Sequence, residues 1–273
     1  AQALSLALLV DPDQHSGRLG LAIVLREMGQ AAQAETAAAA IPESSVYFET
    51  AQVEIAELWA EAGRGDEARA LARDTATRTG GRFALRARAE LALAAGAYAE
   101  AEAAYTDLIE RMNADSPMWR PFWGRAQARQ GLGLMAEAEQ DLAAAQAIAA
   151  DEPAVLTALA HARIAGGGNA QEAVALMEDA YRADPRDPQV LATLGEAYLA
   201  QGQRSEAIAA LERALRRDPG SASIAARLGD ALWLEGLRRE ARFYWARALA
   251  RETEPDLQEA LTRKLQHGLP DAP

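Results

Sequence analysis

A strict internal period constrains this chain more than any other feature. Residues 229–249 read GDALWLEGLRREARFYWARAL. Residues 195–215, thirty-four positions upstream, read GEAYLAQGQRSEAIAALERAL, and nine of the 21 positions are identical. The shared frame is a glycine, an alanine five positions on, a large apolar residue four further, and a small residue three beyond that. It recurs at Gly202/Ala207/Leu211/Ala214, Gly236/Ala241/Trp245/Ala248, Gly168/Ala173/Met177/Ala180 and Gly133/Ala138/Leu142/Ala145. Weaker copies stand at Gly96/Ala101/Tyr105/Leu108, Gly63/Ala68/Ala72/Thr75 and Gly29/Ala34/Ala38/Ile41. The glycines advance by 34, 33, 37, 35, 34 and 34 residues. Several residue types recurring in one phase at this interval mark a solenoid of short supersecondary units.

Each unit predicts a helical hairpin. Before Gly202, Leu191, Leu194, Ala197 and Tyr198 share one face of a helix; after it, Ala207, Ile208, Leu211, Ala214 and Leu215 share another. Gly202 suits the left-handed turn between them, and Asp218-Pro219 stops the second helix. Asp187-Pro188 offers an N-cap and a first-turn proline for the first. Neither helix can bury its face alone, so neighbours must stack. Half of the residues are hydrophobic but only 5% are aromatic, because alanine supplies much of the apolar count. Small side chains at the repeating sites let helix backbones approach closely, with Leu211, Trp245, Met177 and Tyr105 filling the space beside them.

In residues 188–221, Leu191, Leu194, Gly195, Tyr198, Ala207, Leu211, Ala214 and Pro219 follow the order of the tetratricopeptide repeat signature. The chain resembles that family over nearly its whole length. The resemblance implies an all-α fold, a right-handed superhelical solenoid of antiparallel hairpins with a C-terminal capping helix. Residues 1–14 read as the second half of a truncated repeat, 15–253 as seven tandem hairpins, and 254–273 as capping helix and tail. Pro12 falls at the family's terminal proline, with Leu4 and Ala7 on second-helix sites. The expectation is that a first helix, and any targeting segment, lie upstream of residue 1. Leu257, Leu261 and Leu265, spaced by four, predict the cap. Phe243 and Tyr244 are expected either to pack beneath it or to form an exposed docking patch.

Two stretches break the period. Residues 111–124, RMNADSPMWRPFWG, account for most of the 37-residue step and hold Trp119, Phe122 and Trp123. Residues 164–170 carry Gly166, Gly167 and Gly168, which fit either a bent joint or a longer turn.

Catalytic constellations are missing. The chain has no cysteine, which removes disulfides, thiolate metal sites and cysteine nucleophiles. His15, His161 and His267 fall in different repeats. His161 takes a small-residue site and reads as structural. Asp11, Asp13 and His15 cluster but lack the glycine and terminal glutamate of a calcium loop. GGGN lacks the lysine of a phosphate-binding loop. A net charge of −12 argues against nucleic acid and anionic membrane surfaces. No stretch reaches the roughly 20 apolar residues of a membrane span. The expectation is therefore a chain that is no enzyme and carries no metal or cofactor.

What remains is recognition. The resemblance implies that first helices line a concave groove. That would place Glu57, Glu61, Arg86, Glu90, Leu93, Trp123, Gln127, Gln130, Glu196, Leu199, Asp230 and Trp233 in a partner-binding surface. Such a lining is acidic with isolated tryptophans, and favours a basic or mixed extended segment, or a helix. The alternative is that Trp123 and Trp233 are partly core. The Lys/Asn/Arg clamp of repeats that grip a terminal carboxylate is absent.

Three runs narrow the resemblance: WRPFWGRAQARQGLGLMAEAEQDLAAA, then GGGNAQEAVALMEDAYRADPRDPQVLATLGEAYLAQGQRSEAIAALERALRRDP, then ARLGDALWLEGLRREARFYWARAL. Their order is similar to long envelope-associated tetratricopeptide proteins of Gram-negative bacteria, with the Ala/Arg-rich usage of a high-GC alphaproteobacterium. Within that group the chain resembles lipoprotein adaptors of the LbcA type, which partner a carboxyl-terminal processing protease. The resemblance implies a scaffold or adaptor on the periplasmic side of the envelope, the cytoplasm being the alternative. Its partner would be a protein or peptide. The second reading is a chaperone-like binder of extended polypeptide, similar to the periplasmic domain that holds apocytochromes in cytochrome c maturation.

Overall fold

The computed structural model describes residues 14–112, 117–165, 170–252 and 254–269. Among them every regular element is an α-helix: α1 (His15–Glu27), α2 (Ala31–Ala39), α3 (Phe48–Glu61), α4 (Gly65–Thr79), α5 (Arg82–Ala94), α6 (Tyr98–Glu110), α7 (Trp119–Gly131), α8 (Met135–Ile148), α9 (Pro153–Ala165), α10 (Ala170–Ala183), α11 (Pro188–Ala200), α12 (Arg204–Arg217), α13 (Ala222–Leu234), α14 (Arg238–Leu249) and α15 (Pro255–His267). The chain divides into two compact units, residues 1–141 and 142–273.

In the first unit, α1 packs on α2, α3 on α4 and α5 on α6, and each hairpin abuts the next through α2–α3, α4–α5 and α6–α7. The first helices also meet one another, α1 on α3, α3 on α5 and α5 on α7. The second unit repeats the scheme with α9/α10, α11/α12 and α13/α14, and α15 closes on α14. Again the first helices touch, α9 on α11 and α11 on α13. Within each unit, then, first helices form one layer and second helices the other.

The turn between paired helices is built the same way each time. Gly29, Gly63, Gly96, Gly133, Gly202 and Gly236 have φ between +70° and +89°. At Gly202 the amide donates to the Leu199 carbonyl at 2.9 Å and the next amide, Gln203, to Tyr198 at 2.8 Å. These two bonds satisfy carbonyls that the ending helix leaves orphaned, in the pattern of a Schellman cap. The turn glycine expected at Gly168 lies outside the described residues, as do Gly166 and Gly167. So do residues 1–13, with Pro12, Asp11 and Asp13.

Helix starts follow the sequence signals. Asp187 accepts from the Gln189 amide at 2.7 Å with Pro188 in the first turn of α11. Ser221 accepts from the Ile224 amide at 3.2 Å to open α13.

Close packing of small against large residues holds the hairpins together. A Cβ on Gly195 would lie 2.6 Å from Leu211 Cγ, and one on Gly229 would lie 2.5 Å from Trp245 Cδ1. Leu211 and Trp245 are fully buried, as are Ala207, Ala214, Ala241 and Ala248 beside them. Burying a side chain the size of leucine contributes roughly 1.5–3 kcal/mol. Polar links reinforce the stack. Asp141, almost fully buried, accepts from Arg125 at 2.6 and 2.9 Å and from Arg129 at 2.8 Å, and Arg129 reaches Glu102 at 3.1 Å. A carboxylate at that depth is tolerated only because it is paired.

The cap departs from the expectation in two places. Leu261 is buried, and Leu265 and Leu269 pack on the α13–α14 core, but Leu257 is 52% exposed. Tyr244 joins that core, whereas Phe243 is 63% exposed and touches Tyr244 edge-on at 5.2 Å. The two aromatics occupy adjacent positions on α14, about 100° apart around the helix axis, so α15 covers one and not the other.

Candidate partner-binding cleft

The off-period step of 37 residues sits between α6 and α7, and it opens the first unit there. Met118 is extended (φ −116°, ψ 131°) and delivers the chain into α7, whose first turn holds Trp119, Arg120 and Pro121. Proline is tolerated in that turn because its missing N–H has no helical acceptor. Across from α7 stands α5, the preceding first helix. Between them lies a cleft of about 1190 Å³. Phe83 and Leu93 form one wall, Trp119 and Trp123 the other, and Tyr105 and Leu108 of α6 line it as well. The two tryptophans meet edge-to-face with centroids 6.1 Å apart.

Gly124 fixes this geometry. A Cβ there would stand 2.3 Å from Tyr105 Cζ, so only glycine lets the tyrosine ring lie against the α7 backbone. Burial, with Glu90's charge adding to it, pushes the Tyr105 hydroxyl up to about 12. The phenol is therefore a neutral part of the lining at any physiological pH.

The cleft's charge is the reverse of the expected acidic groove. Arg82, Arg86 and Arg120 line it, against a single carboxylate, Glu90. Arg86 lies 3.9 Å from Glu90, one helical turn along. Arg82 stacks over the Phe83 ring at 4.9 Å and Arg120 over Trp119 at 5.4 Å. Neither makes a close ion pair among the described residues, although the Arg120 charge acts on Glu90. Partial burial, with the Glu57 charge adding to it, raises Glu90 above its ordinary value, although Arg86 and Arg120 oppose the shift.

Five of the residues expected in the groove come together here: Arg86, Glu90, Leu93, Trp123 and Gln127. Gln130 is on α7 but outside the lining. Glu57 and Glu61 are on α3; Glu61 is exposed, and Glu57 is paired with Arg26 of α1, which also reaches Glu54 at 3.2 Å. The other four belong to the second unit and are committed to packing within it. Glu196 is bracketed by His161 at 3.3 Å and Arg227 at 2.9 Å, and His161 Nε2 also contacts Thr193 Oγ1 at 2.9 Å. Burial raises Glu196 and lowers His161, each toward its neutral form. Asp230 accepts from Trp245 Nε1 at 2.8 Å and from Lys264 at 2.7 and 2.9 Å. Trp233 leans on Trp245 at 5.3 Å and lies so close to Gly268 that a Cβ there would be 2.0 Å from its ring. Leu199 packs on the same core. These acidic residues and this tryptophan tie successive hairpins to each other and to α15, so the expected acidic lining is neutralised from within.

Sequence reasoning missed Arg82, Phe83, Met118, Arg120, Tyr105 and Leu108 as lining residues. The signal was present in the lengthened step, which singled out Trp119 and Trp123. Phe122, from the same run, lies on another side of α7 with Arg125 5.9 Å from its ring.

Comparison with known proteins settles the architecture. Residues 165–213 and 199–264 match the family model for the tetratricopeptide repeat. Residues 165–264 are tetratricopeptide repeats. The fold extends over the remainder. A tetratricopeptide repeat protein from Parabacteroides merdae superposes with a TM-score of 0.74 over 93% of this chain and 99% of its own, at 16% identity. A chain of the APC/C hetero-tetramer Cut9–Hcn1 gives a TM-score of 0.70 at 17% identity; the match spans 98% of this chain and 51% of that one. YrrB, described as having an unusual peptide-binding site, gives 0.50 at 15% identity over 62% of this chain and 86% of its own. No curated protein sequence matches the chain. Repeats of this family bind protein or peptide partners. No helix among the described residues is long and apolar enough to cross a membrane.

Proposed function

We propose that this chain is a non-catalytic interaction scaffold that holds an extended segment of a partner protein in the cleft between α5 and α7. The observation that carries the reading is the cleft itself: aromatic walls left open between two first helices, whereas Glu57, Glu196 and Asp230 on other first helices are paired internally. Its volume of about 1190 Å³ exceeds the roughly 300–1,000 Å³ of small-molecule sites, which favours a chain segment. Phe83 is 41% exposed and Met118 44%, so apolar surface is available without unfolding. Exposed aromatic and arginine side chains in a concave setting are the residue types that dominate interface energies. The peptide-binding site of YrrB and the Cut9–Hcn1 assembly are consistent precedents on the same fold. An envelope adaptor of the LbcA type, on the periplasmic side, is the narrower form of the proposal; its support is the sequence resemblance alone.

The test is selection of a random peptide library on the wild-type protein. Recovered peptides are then titrated against wild type and against the Phe83→Ala/Trp119→Ala double variant. The expected result is a loss of at least about ten-fold in affinity, equivalent to about 1.4 kcal/mol, in the double variant. Peptides that bind wild type and the Phe83/Trp119 variant equally would move the site elsewhere.

A further inference from the structure

We infer that the segment held in the cleft is acidic, with aspartate or glutamate side chains alternating with aromatic or large aliphatic ones, its carboxylates taken by Arg82, Arg86 and Arg120. This rests on the cleft being the binding site, as proposed above, and adds the chemistry of the occupant.

The argument is one of unspent charge. The chain carries a net charge of −12, and several other arginines of the first unit are matched by carboxylates. Arg26 pairs with Glu54 and Glu57, Arg73 with Glu100, and Arg125 and Arg129 with Asp141. At the cleft the balance differs: among the described lining residues three guanidiniums stand against one carboxylate, Glu90, on which both Arg86 and Arg120 act. The Arg82 and Arg120 guanidiniums stand over the rings of Phe83 and Trp119, 4.9 and 5.4 Å from the centroids. A guanidinium presents its donors as a fork that matches a carboxylate in two-point fashion.

The same two residues set the register. Each pairs a cation with the aromatic surface beneath it, so an occupant satisfies both by offering an apolar side chain and a carboxylate close together. An extended strand does this, because successive side chains point to opposite sides. A basic segment would instead meet three like charges around one acid, an arrangement that selects against it. Nucleic acid offers anions too, but at long range it meets the repulsion of a strongly acidic protein.

The experiment uses the full chain and fluorescently labelled peptides of one length that alternate Phe or Leu with Glu, with Gln, or with Lys. A single-stranded oligonucleotide serves as the fourth probe. Binding is read by polarisation at about 50 and 300 mM salt, where screening separates the charge term from the apolar one. The Glu peptide should bind at least about ten-fold tighter than the Lys peptide and weaken several-fold at the higher salt. Arg82→Glu/Arg120→Glu should invert the order. Both arginines are exposed, so the fold should survive, and far-UV circular dichroism confirms it. Peptides that bind in a Phe83-dependent way with no preference for Glu would overturn the inference and leave the cleft as the site. A Lys or oligonucleotide preference would overturn it likewise. Binding by none of the four, or binding indifferent to Phe83→Ala/Trp119→Ala, would overturn both.

Discussion

Gly229→Ala tests whether close approach of small and large residues governs the stability of the second unit. The added Cβ would lie 2.5 Å from Trp245 Cδ1, 2.6 Å from Nε1 and 3.1 Å from the Ala241 carbonyl oxygen. Helix propensity alone favours the substitution by about 1 kcal/mol. Against it, Trp245 is fully buried and cannot swing clear, and the Ala241 carbonyl belongs to the facing backbone. Overpacking of this kind costs about 1–3 kcal/mol. Displacing the indole also strains its 2.8 Å bond to Asp230, and a hydrogen bond to a charged group is worth about 1.5–3 kcal/mol. Partial loss of that bond leaves a net destabilisation of about 1–3 kcal/mol. Repeat stability sums over neighbours, so the loss should stay local. Hydrogen exchange resolved to peptides from 222–249 reads it directly, as a fall in protection of about five- to 150-fold. Gly65→Ala is the control: nothing lies within 4 Å of its Cβ, and it should be neutral or slightly stabilising. In a Trp245→Ala background, Gly229→Ala should cost nothing. A Gly229→Ala protein at least as protected as wild type would refute the packing argument.

Three further outcomes are expected. Glu54 is 6% exposed and burial raises it, so the folded state binds its proton more readily than the unfolded state does. Acidification from the folded value down through about 4.5 therefore adds stability that Glu54→Gln lacks. The Tm of Glu54→Gln relative to wild type should be most favourable at pH 7 and decline toward pH 4.5; a gap that widens on acidification contradicts this. Gly202→Ala forces an L-residue to φ +82° and should cost about 1–2 kcal/mol, read as a lowered urea midpoint with an unchanged slope. Lys264→Ala cuts both contacts to Asp230, and should raise hydrogen exchange across α15 while leaving α9 and α10 unaffected.

The hairpins were legible because their determinants are local and repeated. Gly202, Leu211 and Asp187-Pro188 each act within a few residues, and seven copies reinforce one reading. Trp245 in the leucine position was also visible. The groove was harder, because a charge on one helix face says nothing by itself about its partner. Arg26 meets Glu57 across 31 residues, Glu196 meets Arg227 across 31 and Asp230 meets Lys264 across 34. Each separation is close to one repeat, so aligning neighbouring copies face to face would have exposed the pairing. Taken one repeat at a time, Glu57, Glu196 and Asp230 looked like free acids. The cleft was half legible: the lengthened step and its tryptophans pointed to it, while Arg82 and Phe83, one hairpin earlier, gave no sign that α7 would leave them uncovered. Phe243 and Leu257 resisted reading because a few degrees of helix rotation decide which side of a cap is covered.

The latch at α15 has a mechanical corollary. Lys264 on Asp230 and Gly268 against Trp233 join Leu261, Leu265 and Leu269 in holding the last helix down, and beneath it each hairpin of the second unit packs on the next. Tension applied at the C-terminus would load that latch first. Once it gave way, the hairpins of the second unit would come off one after another instead of failing together. Each would release about 34 residues, or on the order of 110 Å of extended chain. A protein stitched in this manner yields in even steps, and the height of the first step measures its cap.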